Sequence, residues 1–379
     1  MDHSRVELFE EAFDTIRLNV CRRDVDWEAL FLRYRPLLDT TPSEGVLRTV
    51  LRKMLAEFGI SHMGYYTPHD EEYFELLDIF KESDLAPQIA KFFPSLDISY
   101  AGIGAKTLEV SADRLVHSVL EGSVADRAGL KCGDRVISAD GLPFHPIDSF
   151  LGKEGKSVLL AVRRSSEMEL LSVVPEAIRP GRAYYVAMQR SIKTLVRNAL
   201  TIGYIHIWSY AGQDFHDLLL SEMAFGAFRD VDALLIDLRD GLGGASEEYL
   251  DVFRKEVRFR STTGLADSEV RVRWSKPTVL VVDGTTRSGK EVFAYLFQQR
   301  KLGKVVGSKT AGHVMFGRPF LLADGTVLYV AVREHAVNGV KLEGRGVVPD
   351  VMVDVTNQPV SATDPLIASA LDIAANACI

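Results

Sequence analysis

Two short, almost wholly apolar runs in the second half of the chain limit the fold most. Residues 231–238 (VDALLIDL) and 278–282 (TVLVV) are each long enough for one strand, and a turn and a helical pattern follow each. A strand without polar alternation is buried on both faces, as in the centre of a parallel sheet. The β-α-β order therefore predicts an α/β domain with its functional site at the strand ends.

The rest of the chain has two other patterns. The first 85 or so residues are helical in periodicity over 7–20 and 27–35, and Ser43 opens a third helix that Gly59 closes. Short β-type runs separated by turns fill about 97–176. Because 379 residues exceed one ordinary core, we expect three domains and a multidomain α+β and α/β protein. The predicted domains are helical (1–92), β (93–178) and α/β (179–379).

Charge and composition argue against several functional classes. The formal net charge of −8 does not fit the basic face of a nucleic-acid-binding protein or a preference for anionic membranes. The histidines and the three cysteines show no metal-ligand spacing, and the glycine turn after Leu238 lacks nucleotide-binding patterns. We therefore expect no metal, no cofactor and no nucleic-acid or membrane partner.

The first residues contain no apolar signal-peptide core, and no run reaches the roughly 18 apolar residues of a membrane span. These features predict a cytoplasmic protein, unless a leader has been removed.

Residues 119–141 predict a strand, a turn, a short helix and a second strand, and their GSVADRAGLKCGDRVISADG segment resembles a PDZ domain. The preceding YAGIG segment resembles that family's carboxylate-binding loop. The resemblance implies that Tyr100, Gly102, Ile103 and Gly104 contact a substrate. Backbone N–H groups in such a loop can bind a peptide carboxylate, and the peptide can add a strand to an open edge. A glycine-rich hairpin corner is the alternative interpretation.

Ser288 lies where a predicted strand passes through a tight loop into a helix. The unpaired N–H groups and the positive end of a helix favour negative charge at this place. This setting suits a serine nucleophile and its oxyanion. A plain N-cap serine is the alternative interpretation.

Four ordered segments of the last domain resemble peptidase family S41, which includes tail-specific and tricorn-core proteases. They are IDLRDGLGG (236–244), VDGTTRSGKEVFA (282–294), VVGSKTAG (305–312) and LEGRGVVPD (342–350). The resemblance implies a crotonase/ClpP-like α/β catalytic domain and a serine-type peptidase. Alignment on EVFA places the family's nucleophile at Ser288.

The general base departs from the tail-specific pattern. That branch has a lysine directly after the glycine that corresponds to Gly312, and this chain has His313 there. Lys290 does not replace it easily, because residues i and i+2 of a helix point to different faces, and Lys309 precedes the glycine. His313 remains an alternative base.

The N-terminal region contains a second candidate base. Its EFGISHMGY segment (57–65) resembles the tricorn-core branch, in which the histidine of a Ser-His pair is the base. Carried over, this implies His62 as base for Ser288, with Ser61 and Glu343 as supporting groups. Imidazole titrates near neutral pH and can take a proton and return it.

Backbone N–H groups complete the predicted catalytic site. The N–H of Gly289, with one from the 241–244 turn, is expected to form the oxyanion hole, and Gly241 and Gly243 are the candidates in that turn. The full prediction is an endopeptidase or oligopeptidase that acts on peptides or unfolded proteins with PDZ-assisted recognition. An oligomer is left open. The alternatives are a non-catalytic S41-fold protein that binds an apolar ligand or a peptide C-terminus, and a PDZ scaffold.

Overall fold

The structure is a computed structural model that describes residues 4–22, 24–39, 43–110, 113–261, 268–353 and 364–378. It divides into two compact units. The first unit contains residues up to 183 together with 315–336, and the second contains 184–314 together with the residues from 337 onwards.

Helices occur in both units. The α-helices of the described residues are α1 (Arg5–Asn19), α2 (Trp27–Tyr34), α3 (Glu44–Ala56), α4 (Glu71–Phe80), α5 (Ala86–Ile89), α6 (Val124–Arg127), α7 (Pro180–Ser191), α8 (Gln213–Ala224), α9 (Gly289–Gln299) and α10 (Pro365–Asn376). Two 3-10 helices occur at Arg35–Leu38 and Glu247–Phe253.

The strands of the described residues are β1 (Gly64–Tyr66), β2 (Tyr100–Gly102), β3 (Ala105–Val110), β4 (Asp113–Val119), β5 (Arg135–Ala139), β6 (Leu142–Pro143), β7 (Val158–Arg164), β8 (Glu167–Val173), β9 (Glu176–Ile178), β10 (Lys193–Arg197), β11 (Leu200–His206), β12 (Ala233–Asp237), β13 (Val257–Ser261), β14 (Ser268–Val272), β15 (Thr278–Val282), β16 (Lys304–Gly307), β17 (Phe316–Leu321), β18 (Val327–Arg333), β19 (Ala336–Val337), β20 (Val340–Lys341) and β21 (Val351–Met352).

The first unit joins the N-terminal helices to a hairpin from much later in the chain. Helices α1 to α3 share one apolar core with β17 and β18, in which Phe9 and Met54 lie with Leu328. Strand β1 pairs antiparallel with β18, so the sheet order is β1-β18-β17. Ser61 and His62 lie in the segment just before β1. The pairing of β1 with β18 therefore places this segment beside β18.

The first unit also contains a β domain with its own core. Its sheet has the antiparallel order β3-β4-β5-β7-β8, with β6 on β5, and β2 pairs separately with β9. Val116, Val136 and Leu160 are buried in this core, together with Ala125 of α6. The alternation of buried and exposed residues along β7 matches a sheet that covers one core face.

The second unit is built on a six-stranded sheet of order β10-β11-β12-β15-β16-β21. Every pairing in it is parallel except that of β10 with β11. All residues of β12 and β15 are buried, and α10 packs Leu366, Ala370 and Ala374 against the sheet. The loops after β11, β12, β15 and β16 follow the carboxyl ends of parallel strands, where α/β sheets place their sites.

The sequence predicted many of these elements. The two apolar runs are strands β12 and β15, and the three predicted N-terminal helices are α1, α2 and α3. Three local expectations differ. The helix predicted over 214–228 ends at Ala224, just before Gly226, and the helix predicted to end at Phe253 is a 3-10 helix. Strands had also not been expected before Leu85, but β1 lies there because its partner is β18.

Candidate active site

Ser288 joins β15 to α9 in a backbone conformation that serine rarely adopts. Its φ is 56° and its ψ is −130°, and such a conformation costs about 1–3 kcal/mol. Its backbone N–H donates to His313 O at 2.8 Å and to Glu291 Oε2 at 3.2 Å. These bonds hold the half-buried serine at the start of α9, where the helix end favours negative charge.

The glycine turn after β12 contacts this serine directly. A Cβ added to Gly243 would lie 2.6 Å from Ser288 Cβ and 3.0 Å from Ser288 Oγ. One added to Gly289 would lie 2.7 Å from Gly244 N. A side chain at position 243 or 289 does not fit at these distances. The glycine turn and the start of α9 therefore approach each other closely. The structure therefore brings Gly243 and Gly289 together with Ser288, as an oxyanion hole requires. Gly241 instead packs against Trp208 O, and its own oxygen accepts from Arg287 Nε at 3.2 Å.

The turn is fixed by the loops on either side of it. Leu242 N–H donates to Trp208 O at 2.7 Å, and Tyr210 N–H donates to Gly243 O at 3.0 Å. From the other side, Asp240 N–H donates to Thr285 Oγ1 at 2.7 Å. The loops after β11, β12 and β15 therefore form one hydrogen-bonded group around Ser288.

Gly243→Ala is expected to lower kcat/KM for peptide cleavage by about 100-fold or more, because the new methyl group would displace Ser288 or the turn, and loss of an oxyanion donor has effects of that size. Gly284→Ala in the next loop is a matched control, since an added Cβ there meets no atom within 4 Å. Steady-state kinetics of the two variants check this expectation. Equal activity of Gly243→Ala and the wild type would contradict the assigned geometry.

Lys290 is fully buried two residues after Ser288. Its Nζ donates to Asp240 O at 2.7 Å, Trp208 O at 3.3 Å and Arg239 O at 3.4 Å. Burial lowers the pKa of Lys290 to about 7, while Asp240 and Asp237 favour its ammonium form. The sequence argument considered this lysine only as a base. Its helical spacing with Phe293, Ala294 and Phe297, which are all buried, was the signal that it faces the interior.

Glu291 anchors the loop after β16 to the start of α9. The side chain is fully buried and accepts hydrogen bonds from Thr310 Oγ1 at 2.5 Å, from Gly312 N–H at 2.7 Å and from His313 N–H at 2.7 Å. A buried carboxylate needs such donors. Sequence reasoning used Glu291 only to align the motif and missed this structural role.

Glu343 and His313 belong to the same network at its outer side. Glu343 Oε2 accepts from Val314 N–H at 2.8 Å, and Gly344 N–H donates to Gly312 O at 2.8 Å. The His313 side chain is exposed, and its backbone oxygen is the group that binds the N–H of Ser288. Glu343 therefore lies beside the loop whose backbone binds Ser288.

Ser61 and His62 lie in the first unit, in the turn between α3 and β1. Ser61 Oγ is 2.7 Å from His62 Nδ1, and the imidazole packs against Tyr329 of β18 with ring centroids 5.4 Å apart. His62 has a φ of 61°, which is uncommon outside glycine and orients the ring by backbone conformation. The pairing of His62 with Ser288 stays a prediction of the sequence.

The predicted peptide-binding loop is partly buried. The side chains of Tyr100 and Ile103 are in apolar cores, and Tyr100 Oη donates to Glu71 Oε1 at 2.9 Å. The backbone oxygens of Ile103 and Gly104 accept from Ala125 and Leu120 N–H at 2.8 and 2.9 Å. This loop can therefore offer a ligand its backbone rather than those two side chains. A role in binding stays a prediction.

Within the described ranges, no group of three or more His, Cys, Asp or Glu side chains is arranged to hold a metal ion. None of the helices in that part of the chain has the length and apolar character needed to cross a bilayer.

Comparison with known families follows this geometry. Residues 201–353 match the model of peptidase family S41, residues 115–164 match a PDZ domain model, and residues 2–56 match the tricorn protease C1 domain model. The C-terminal part of the chain therefore matches peptidase family S41, and its β domain matches the PDZ domain model. The multidomain fold expected from the sequence is confirmed.

Curated relatives support the same family. Two proteins described as "Probable CtpA-like serine protease" are each 25% identical to this chain. The alignment covers 301 residues for the protein from Staphylococcus aureus (strain COL) and 300 residues for the protein from Staphylococcus haemolyticus (strain JCSC1435). Each alignment covers 74% of this chain and 58% of the relative. The matched region thus spans less than two thirds of the length of these relatives.

Two solved structures share the fold. The photosystem II D1 C-terminal processing protease has a TM-score of 0.54 at 19% identity, over 95% of this chain and 96% of that chain. The tricorn protease has a TM-score of 0.55 at 19% identity, over 99% of this chain and 37% of that chain.

Proposed function

We propose that this chain is a serine endopeptidase or oligopeptidase that cleaves peptides or unfolded proteins through an acyl-enzyme ester on Ser288. The observation that carries the proposal is the contact between Ser288 and the glycine turn. A serine held at φ 56° at the start of α9 lies so close to Gly243 that a Cβ there would be 3.0 Å from its Oγ. A serine that only capped the helix would need neither the backbone strain nor the turn.

The reaction needs a base for the serine hydroxyl, and His62 is the proposed one. Its Nδ1 is engaged by Ser61 Oγ, so Nε2 is the nitrogen that takes the proton from Ser288 Oγ as this oxygen attacks the peptide carbonyl. When the C–N bond breaks, the imidazolium returns that proton to the leaving amine. A water molecule, deprotonated by the same imidazole, then attacks the ester carbonyl. The acyl C–O bond breaks, the imidazolium returns its proton to Ser288 Oγ, and the product leaves as a carboxylic acid.

The negative oxygen of each tetrahedral intermediate needs preorganised donors. The N–H of Gly289 and an N–H of the turn that contains Gly241 and Gly243 are proposed to supply them. A single such donor is worth about 3 kcal/mol in the transition state. Loss of peptide cleavage in a folded Ser288→Ala variant is the test of this mechanism.

The PDZ domain is proposed to assist recognition by binding the free carboxyl end of a peptide. Supporting this role, Gly104 has a φ of 76°, and its oxygen is held by Leu120 N–H and Ser123 Oγ, at 2.9 and 3.3 Å. A preordered glycine loop exposes backbone N–H groups to an anion at little entropic cost.

Peptides of one sequence with a free or an amidated C-terminus test the PDZ role. With the cleavage-deficient Ser288→Ala chain, the free acid is expected to bind about 10-fold or more tightly than the amide, because the amide removes the negative charge. Fluorescence anisotropy measures both affinities. Equal affinities would show that the carboxylate is not recognised.

A further inference from the structure

The ammonium group of Lys290 lies beneath the glycine turn that borders Ser288. Three backbone oxygens converge on its Nζ, from Asp240 at 2.7 Å, Trp208 at 3.3 Å and Arg239 at 3.4 Å. A lysine ammonium has three N–H donors, one for each of these acceptors. The residue is fully buried, so water does not compete for them.

These three oxygens belong to the two segments that build the site. Arg239 and Asp240 directly precede the turn of Gly241 to Gly244, whereas Trp208 comes from the loop after β11. Trp208 O also accepts Leu242 N–H at 2.7 Å, so the lysine and the turn share an acceptor. The acceptors are 50 to 82 residues away from Lys290 along the chain. One side chain of α9 thus binds both the loop after β11 and the loop after β12.

Arg239 is itself fixed by charge. Its guanidinium forms a bidentate pair with the buried Asp237 at 2.6 and 2.9 Å and an ion pair with Asp364 at 2.7 Å. Although burial opposes ionisation, the guanidinium of Arg239 holds the pKa of Asp237 below its ordinary value. The carbonyl oxygens of Arg239 and Asp240 therefore lie in a segment that these ion pairs hold in place.

We propose that Lys290 is a positioning residue that holds the 239–244 turn against Ser288, so that the turn's N–H groups face the oxyanion. This inference rests on the proposed peptidase function. Lys290 is not the base in this arrangement, because its donors are directed to backbone oxygens. Its effect is carried by the charge, since only the ammonium form has a donor for each of the three oxygens.

Burying an ammonium group carries a desolvation cost. The effect of replacing Lys290 by an uncharged side chain therefore distinguishes a positioning role from a packing role. If Lys290 only filled a cavity, methionine would fill it as well and would avoid the cost of removing an ammonium group from water. If the ammonium positions the turn, methionine leaves three buried oxygens without a donor. The turn then relaxes while the helix that starts at Gly289 stays folded.

The charge of Lys290 also depends on pH. Burial sets its pKa at about 7, the carboxylates of Asp240, Asp237 and Asp283 favour the ammonium, and Arg287 opposes it. Two further groups are close: the Arg239 guanidinium pairs with Asp237, and His206 Nε2 is 3.1 Å from Arg239 O. Below the pKa all three oxygens have a donor, whereas above it the neutral amine has only two N–H groups. Turn positioning, and with it kcat, is expected to fall as the pH rises through that range.

The test compares wild type, Lys290→Met and the exposed-lysine control Lys304→Met in peptide cleavage between pH 5.5 and 9. Lys290→Met is expected to lose about 10- to 100-fold in kcat at pH 6.5 with little change in KM, since the turn acts on the transition state. Its profile should lack the alkaline decline of the wild type. Lys304→Met should behave like the wild type.

A measurement independent of cleavage follows the turn itself. Amide hydrogen exchange of the segment that contains residues 239–245, corrected for intrinsic exchange rates, should be faster in Lys290→Met and faster in the wild type at pH 8.5 than at pH 6.5. If Lys290→Met does not fold, the wild-type measurement decides alone, and unchanged protection across this range overturns the inference.

The outcomes separate this inference from the proposed function. If a fluorophosphonate fails to label Ser288 in the wild type at every pH, the peptidase proposal is wrong. If the wild type is labelled and active, and Lys290→Met shares its kcat and its pH profile, only the positioning role is wrong.

Discussion

Ser288→Ala is expected to lower peptide cleavage by on the order of 10⁴-fold or more while leaving the fold intact. In the proposed mechanism this hydroxyl forms the covalent ester, which alanine cannot form. The substitution removes one oxygen from a half-buried position, and the backbone bonds of residue 288 to His313 and Glu291 remain available. Cleavage of an unstructured fluorogenic peptide, with circular dichroism to confirm folding, checks this expectation.

Two controls make the Ser288 result specific. Ser221→Ala changes another half-buried serine of the same unit, within α8, and should keep full activity. A fluorophosphonate should add its mass to the wild type and to Ser221→Ala, and not to Ser288→Ala. Undiminished cleavage by a folded Ser288→Ala protein would exclude the acyl-enzyme mechanism.

His62→Ala is expected to reduce kcat by about 10²- to 10⁴-fold, the usual effect of removing a general base. His62 has a ring oriented by Ser61 Oγ at 2.7 Å and by the adjacent Tyr329. His313→Ala should change kcat by only a few-fold, because that side chain is exposed and its contact with Ser288 is made by its backbone oxygen. Steady-state kinetics of both variants decide between the two candidate bases.

The pH dependence gives an additional readout of the base. An imidazole that must be neutral produces an acidic limb in the wild-type profile of kcat/KM. That limb should disappear in His62→Ala and persist in His313→Ala. A severe loss of activity in His313→Ala, together with an active His62→Ala, would show that His313 and not His62 is the base.

Prediction from sequence succeeded where local pattern decides structure. The unbroken apolar runs of β12 and β15 require a sheet covered on both faces, and all ten of their residues are buried. The short helix of the PDZ segment appears as α6, with Ser123 at its N-cap. Spacing and turn residues encode such elements within a few neighbouring positions.

The same methods missed features that depend on distant partners. Strand β1 has only three residues and exists because β18 lies beside it; nearby, Ala331 N–H contacts Met63 Sδ, 268 residues away in sequence. Periodicity over three residues carries almost no information about such a pairing. The backbone strain at Ser288 was equally invisible, since φ is set by the surrounding loops and not by the serine itself.

Residue type and order were sufficient to predict strands β11, β12 and β15, the helix α9 with Ser288 at its start, and the glycines expected to surround that serine. Tertiary packing alone decided why position 243 must be glycine and why Lys290 points inward. A Cβ at 243 would lie 2.6 Å from Ser288 Cβ, and Lys290 Nζ binds oxygens from two other loops. The physical reason is the sequence separation of the interacting residues. Helix and strand patterns repeat within a few residues, whereas these contacts join distant segments that only the folded sheet brings close together.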